Sequence, residues 1–410
     1  MRRVGKSLLV ALWFMVLTLP VMGIRMDTVS ETVVWQWERV GWLGCGIFLL
    51  ALLWDWAFER KARGLPIVQL PAGFGSAAGR LARNTVAQRT GLVALALWCL
   101  VQPFVVSLYQ TNIMITALLN VILALGLNIA VGLAGQLVLG YIAFYAVGAY
   151  AYGLLAHFWG WGFWACLPVG GFVGVIFGLI LGFPVLRLRG DYLAIVTLGF
   201  GEIVRLALQN WTSLTGGPKG IDSIPRPGFF GMELNLDQST YYIYYLALLG
   251  VIITIGVIWR LKNSRVGLAL QALREDEIAS EAMGINVTNV KLTAFALSSC
   301  WAGFAGVLFA ARTQYINPSS FTFMESAMIL AMVVLGGMGS IAGVTLAALL
   351  LILVPEYLRA FADYRMLIFG AIMVLMMLFR PQGLVSDSRR DYRVSALEKK
   401  QDGAANGGQA

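Results

Sequence analysis

The sequence predicts an all-α, polytopic integral membrane protein with about 10 to 12 transmembrane helices, some of them broken at glycines. Hydrophobic residues make up 59% of the 410 residues and charged residues only 12%, whereas soluble domains average about 45–50% and about 25%. Apolar runs recur along the whole chain, and no polar linker separates compact blocks. These observations exclude a soluble fold.

Apolar runs long enough to cross a bilayer define the expected spans. Runs of about 20 residues lie at 7–23, 41–58, 90–109, 111–131, 141–157, 163–186, 192–211, 241–259 and 291–312. Shorter runs follow at 325–337, 341–357 and 364–379. The first run stands behind Arg2, Arg3 and Lys6, so it is either a cleaved signal peptide or a retained span. The turn at 109–111 is tight, and a re-entrant segment at this turn or in the glycine-rich stretches would replace a crossing.

The basic residues indicate the orientation. Lys and Arg number 30 against 21 Asp and Glu, a net charge of +9. They separate the apolar runs rather than form one basic face, so a nucleic-acid partner is excluded and membrane lipid is expected. When the spans are threaded alternately, 22 basic residues fall on one side and seven on the other. The positive-inside tendency then predicts that both termini are cytoplasmic.

The spans and loops suggest three regions. Residues 1–110 form an N-terminal extension with about three spans and a basic cytoplasmic loop at 59–89. Residues 111–385 form the core, and the polar stretch 386–410 is expected to be a disordered cytoplasmic tail because it cannot bury enough apolar surface.

The sequence lacks the residues that several kinds of chemistry require. The four cysteines lie inside apolar runs without C-x-x-C spacing, which favours neither a disulfide framework nor a metal site. The single histidine, His157, lies among tryptophans typical of an interfacial belt. The sequence has no phosphate-binding loop, so it predicts no cofactor and no ATP hydrolysis by this chain.

Two glycine clusters lie 204 residues apart, each between two apolar runs: Gly132, Gly135 and Gly140, and Gly336, Gly339 and Gly343. Paired glycine-interrupted segments are typical of broken helices around a transport pathway. Close packing of helices at small residues is the alternative, and both can hold at the same glycines.

Polar residues inside the apolar runs are candidates for a pathway. Glu202 and Arg205 share one helix face at i, i+3 and can neutralise each other, as a pathway site or as a structural ion pair. Asn120, Asn128 and Gln136 lead into the first glycine cluster, where they either line a passage or hydrogen-bond neighbouring helices.

Residues 272–284 are an acidic segment among basic loops. Asp276 is a suitable N-cap and Gly284 a suitable C′ residue, which predicts a helix of about two turns. Its mixed small, apolar and acidic residues suit a groove in another protein, although an ordinary capped loop helix is the alternative. The loop at 212–240, with Thr215-Gly-Gly-Pro-Lys-Gly220, either receives an extracytoplasmic partner or covers the pore mouth.

Taken together, these segments resemble the permease subunits of branched-chain amino-acid ABC importers, in their LivM-type form. The resemblance rests on residues 140–150, 183–205, 215–218, 272–284, 291–295, 334–340 and 379–384. It implies an ABC importer permease fold in the bacterial inner membrane, a sister permease subunit, two cytoplasmic ATP-binding subunits and a periplasmic amino-acid-binding protein. It also implies that 272–284 is the coupling helix, with ATPase contacts at Arg274, Glu275, Asp276, Glu277, Ala279 and Gly284.

Two other classes compete with this interpretation. A stand-alone secondary carrier would use Glu202 and Arg205 as an ion-linked site. A lipid-modifying membrane enzyme would need clustered Asp, His or Cys residues near one interface, and the sequence shows no such cluster.

Overall fold

The computed structural model describes residues 24–27, 32–35, 98–186, 188, 190–228, 235–357, 370, 374 and 383–385. The predicted spans 7–23 and 41–58, nearly all of 364–379, the loop 59–89 and the tail 386–410 lie outside the described residues. The chain divides into two units, Met1–Leu97 and Trp98–Ala410.

The first unit contains a feature that the all-α prediction lacks. Strands β1 (Ile24–Asp27) and β2 (Thr32–Trp35) form an antiparallel hairpin in which Ile24 pairs with Trp35. The sequence of β2, Thr-Val-Val-Trp, consists of residue types that favour strands, but four residues are too few to give a strand signal beside long apolar runs.

The second unit is mainly helical in its described residues. Residues 98–105 are helical, and the elements that follow are α1 (Leu108–Asn128) with a π-helical end (Ile129–Leu133), α2 (Ile142–Trp159), α3 (Phe163–Val185), α4 (Asp191–Asn210), α5 (Thr212–Thr215), α6 (Leu236–Lys262), α7 (Arg265–Glu275), α8 (Glu277–Ala282), α9 (Val287–Thr313), α10 (Phe323–Gly336) and α11 (Ile341–Tyr357). Short 3₁₀ turns lie at Gly217–Lys219 and Pro318–Ser320.

The long helices confirm the predicted spans from 111–131 to 325–337. Of the span predicted at 90–109, only residues 98–109 are described, and the helix there ends at Val105. Seven of its helices are long and apolar enough to cross a membrane, and the shorter apolar helix Ile341–Glu356 follows them. The predicted turn at 109–111 is wrong, because Ser107 caps α1 by accepting a hydrogen bond from the Gln110 amide. The break between helices therefore precedes Leu108, and Tyr109 lies within α1.

Small residues bring three helices into backbone contact. A Cβ atom on Gly148 of α2 would overlap the Gly303 carbonyl of α9, and one on Gly303 would overlap the Gly170 carbonyl of α3. Close approach of this kind needs glycine, because any side chain would separate the backbones. We call the contact of Gly148, Gly170 and Gly303 the glycine seam.

The connections between helices gather at two faces. At one, which we call the Arg274 face, Arg274 bonds to the Gly132 carbonyl and the Leu384 amide donates to the Leu335 carbonyl. This face also carries the two glycine connections, residues 134–141 between the π-helical end and α2, and residues 337–340 between α10 and α11.

At the other, the Ile221 face, Ile221 pairs with Ile316 in an isolated bridge. There the Tyr152 hydroxyl donates to the Pro225 carbonyl at 2.7 Å. If successive spans cross the membrane in alternate directions, the loops predicted on the same side are the ones that contact one another here. The described part of the chain therefore agrees with the predicted arrangement of spans.

Candidate functional site

The acidic segment 272–284 lies at the Arg274 face and consists of two helices. The first, α7, ends at Glu275, and the second, α8 (Glu277–Ala282), is the predicted helix of about two turns. Asp276 separates them in an extended conformation, and its Oδ1 accepts hydrogen bonds from the Ile278 amide at 2.8 Å and the Ala279 amide at 2.9 Å. Gly284 follows α8 with φ +83°. The N-cap and the terminal glycine are therefore as predicted.

The surface of α8 is open to solvent in this chain. Ile278 is 68% exposed and Met283 83% exposed, beside the exposed Ala279. Ser280 is buried and donates from its hydroxyl to the Asp276 carbonyl at 2.7 Å. The helix thus presents apolar side chains and carboxylates outward, as a surface made for a protein groove would.

Glu277, one of the predicted ATPase contacts, joins α8 to α9 through an ion pair with Lys291. Lys291 is only 5% exposed, and its Nζ lies 2.8 Å from Glu277 Oε1. The same Nζ lies 3.5 Å from the Leu186 carbonyl. A buried ammonium needs such a partner, because desolvation without one is costly. The basic residue near the start of α9 was the only sequence signal for this ion pair.

Arg274 also has partners within the chain. Its Nη1 donates to the Gly132 carbonyl at 2.6 Å and to the Met338 carbonyl at 3.5 Å. Lys262, the last residue of α6, donates to the Gly339 carbonyl at 3.0 Å. The Gly132 carbonyl belongs to a helix end and lacks a helical partner, and the Met338 and Gly339 carbonyls belong to the connection after α10.

The two glycine clusters therefore meet in space, although 204 residues separate them in sequence. Gly135 and Gly339 have φ +70° and +86°, values that favour glycine. The remaining members pack helices closely: a Cβ on Gly140 would overlap the Thr197 carbonyl, and one on Gly343 would overlap the Gly336 carbonyl. Breakage and close packing coexist in these clusters.

Asn128 links the two clusters from inside. It is fully buried, and its Oδ1 accepts a hydrogen bond from the Gly339 amide at 2.9 Å. Gln136 is also buried, and neither its Oε1 nor its Nε2 has a hydrogen-bond partner. Asn120 lies apart from them on α1, where its amide donates to the Thr116 carbonyl at 3.0 Å. The structure thus associates Asn128, and not Asn120, with the glycine connections.

Glu202 and Arg205 form the predicted ion pair on α4. Arg205 Nε lies 2.9 Å from Glu202 Oε1 and 3.1 Å from Oε2, and Nη1 donates to Gln209 Oε1 at 3.1 Å. The side chains are 41% and 22% exposed. The pair is on the side of α4 that this chain leaves uncovered. Gln209, one turn further along, extends the polar patch, and the sequence analysis missed it.

The loop after α4 is held at the Ile221 face. Thr215 donates from its hydroxyl to the Leu208 carbonyl at 2.6 Å, and Gly216 and Gly217 follow with φ +74° and +59°. The Tyr315 hydroxyl donates to the Lys219 carbonyl at 2.8 Å. These bonds tie the described part of the loop to the ends of α4 and α9.

Comparison with known proteins gives a consistent family. The family model described as branched-chain amino acid transport system, permease component, matches residues 109–377. The high-affinity branched-chain amino acid transport system permease protein LivM of Escherichia coli is 45% identical and aligns over 99% of both chains. LivH, a permease protein of the same system in that organism, is 26% identical over 64% of this chain and 90% of its own.

A more distant relative is the probable branched-chain amino acid transport permease protein LivM of Methanocaldococcus jannaschii, 27% identical over 52% of this chain and 66% of its own. No solved structure matches the chain. The family match covers the described helices from α1 to α11, including both glycine connections and α8. The chain is a multi-pass membrane protein that belongs to the family of branched-chain amino acid transport system permease components.

Proposed function

We propose that the chain is a transmembrane permease subunit of an ATP-driven importer of leucine, isoleucine and valine. It forms half of the translocation pathway with a homologous sister permease. Two cytoplasmic ATP-binding subunits supply energy, and a periplasmic binding protein delivers the amino acid. The similarity of this chain to both LivM and LivH supports a pair of related permeases.

The exposed surface of α8 is the observation that carries the energy coupling. Ile278 and Met283 expose large apolar side chains at the end of a loop helix, among carboxylates. In an ATP-driven importer whose ATP-binding subunits are separate chains, the energy for uphill transport enters through a contact between those chains and the permease. We propose that Glu275, Asp276, Ala279 and Gly284 surround this contact, while Arg274 and Glu277 reach it less directly because their side chains bond within the chain.

We assign the pathway to the uncovered side of α4 and to the amides near the first glycine connection. A charge inside a span costs at least about 2.5 kcal/mol, so Glu202 and Arg205 face water or the sister permease rather than lipid. The carboxylate and guanidinium together suit a zwitterionic amino acid, whose ammonium and carboxylate carry the opposite charges. The unpartnered amide of Gln136 supports a second contact with water or solute.

The orientation and the regions complete the proposal. The Arg274 face is cytoplasmic, both termini lie in the cytoplasm, and the membrane is the bacterial inner membrane. Residues 1–110 are an N-terminal extension, 111–385 the permease core and 386–410 a cytoplasmic tail. The comparisons give no support to a stand-alone secondary carrier.

Co-purification tests the docking role of α8. The double variant Ile278→Asp with Met283→Asp should lower recovery of the ATP-binding subunits at least about tenfold, as loss of a central contact does. The matched control is the double variant Trp211→Asp with Leu214→Asp, which adds the same two charges to exposed apolar residues near the Ile221 face. Normal recovery and normal ATP-dependent uptake by the double variant would contradict the proposal.

A further inference from the structure

Arg274 occupies a position that the docking role of α8 does not explain. It is the penultimate residue of α7, two residues before the N-cap of α8. Although it was expected to face an ATP-binding subunit, its Nη1 reaches back to Gly132 and Met338, carbonyls that lie 206 residues apart in sequence. One side chain next to the exposed helix thus contacts the π-helical end that leads into the first glycine connection, and the second connection itself.

The carbonyls that Arg274 meets are available for a physical reason. Gly132 lies in the last turn of the π-helical end, which stops at Leu133, so its carbonyl lacks a helical partner. Met338 lies in the connection after α10, which stops at Gly336, so its carbonyl is outside any helix. Helix C-termini also carry partial negative charge, which favours a cation there. One guanidinium nitrogen, Nη1, serves both carbonyls, and the planar group fixes its direction, which the flexible stem of a lysine ammonium does not.

The glycines leave room for this side chain from both directions. A Cβ on Gly135 would lie 3.0 Å from Arg274 Cγ, and a Cβ on Gly339 would lie 3.3 Å from Nη1. Both distances are tighter than ordinary van der Waals contact. The two glycine connections therefore pack closely against the Arg274 side chain. This observation does not depend on the hydrogen bonds of Arg274.

The two connections are also joined to each other. The Asn128 amide oxygen accepts from the Gly339 amide, and Lys262 donates to the Gly339 carbonyl. A movement that Arg274 imposes on one connection therefore reaches the other. On its far side, α8 is held to α9 through Glu277 and Lys291.

We propose that Arg274 is a positioning residue that transmits displacement of α8 to both glycine connections, and hence to α1, α2, α10 and α11 together. The proposal rests on the proposed function, because it assumes that ATP-binding subunits move α8. It adds the route by which that movement reaches the spans. Arg274 itself need not contact the amino acid or the nucleotide.

The first experiment measures coupling in the full transport complex in proteoliposomes. Arg274→Gln should lower the amino acid taken up per ATP hydrolysed by about tenfold, the factor that one charge-assisted hydrogen bond supplies, with ATP-binding subunits still recovered. Arg274→Lys should give a partial loss, because it keeps the charge and loses the planar group that directs Nη1. Arg265→Gln, at the exposed first residue of α7, is the matched control and should match wild type.

An unchanged ratio of uptake to hydrolysis in Arg274→Gln would overturn the proposal. Loss of the ATP-binding subunits in parallel with uptake would overturn it too, because Arg274 would then be a docking residue.

The second experiment uses the purified subunit alone, so it does not depend on the proposed function. Hydrogen exchange should accelerate about tenfold in peptides covering 134–141 and 337–340 when Arg274 becomes Gln, with α4 unchanged. Acceleration in only one connection, or in neither, would refute the link. If the wild-type chain recovers no ATP-binding subunits while both connections accelerate, the proposed function fails and the link between the connections stands.

Discussion

The ion pair of Glu277 and Lys291 allows a quantitative test of how α8 is held. Glu277→Gln keeps the size and a hydrogen-bond acceptor of the side chain while it removes the carboxylate charge 2.8 Å from Lys291 Nζ. The Lys291 side chain is only 6% exposed, so its ammonium would be left buried without a counter-charge. The variant should therefore destabilise the attachment of α8 to α9.

The magnitude follows from burial. Removing one partner of a fully buried ion pair costs about 3–5 kcal/mol. The Glu277 side chain is 24% exposed, so water already screens part of the interaction, and we expect a loss of about 2 kcal/mol. Lys291→Met combined with Glu277→Gln should return to within about 1 kcal/mol of wild type, because an apolar residue suits the buried position.

The assay is unfolding of the purified subunit in mixed detergent micelles, followed by tryptophan fluorescence as the fraction of denaturing detergent rises. The unfolding midpoint should fall for Glu277→Gln and recover in the double variant. If Glu277→Gln unfolds like wild type but loses the ATP-binding subunits, the carboxylate acts at the docking surface and the structural reasoning is refuted.

Two further predictions concern packing and the Ile221 face. Gly303→Val should destabilise the same purified subunit by about 2 kcal/mol or more through overpacking at the glycine seam. The control is Gly256→Val on α6, where a Cβ would meet nothing within 4 Å, and it should not destabilise the subunit. Equal unfolding midpoints for the two variants would contradict the close packing at the seam. Tyr152→Phe removes the 2.7 Å bond to the Pro225 carbonyl and should cost about 1 kcal/mol. Trypsin should then cleave faster after Lys219, and an unchanged cleavage rate would show that this bond does not hold the loop.

Local signals explain what the sequence could predict of the fold. Span bounds follow from apolar runs, and the structure places α9 at Val287–Thr313 where the sequence predicts 291–312. The end of α6 was less predictable, since Arg260 and Lys262 reduce the hydropathy of a helix that continues to Lys262. The break before α1 depends on the cap at Ser107, a signal that the surrounding apolar residues obscure.

The candidate site also contains some features that the local sequence predicts and others that it does not. Asp276 and Gly284 act on backbone within a few residues, so their roles follow from sequence. The orientation of the Arg274 side chain depends on its hydrogen bond to the Gly132 carbonyl, 142 residues away in sequence. No local sequence pattern predicts such a contact. The same holds for Lys291, whose partner becomes apparent only when α8 folds back on α9.

The glycine seam restricts which parts of the protein can move during transport. Where Gly148, Gly170 and Gly303 meet, main chains and not side chains form the contact, so sliding one of these helices past another would drive atoms into overlap. We therefore expect α2, α3 and α9 to travel as a single block, and alternating access to arise at its margins, where longer side chains can change rotamer and let neighbouring helices pivot.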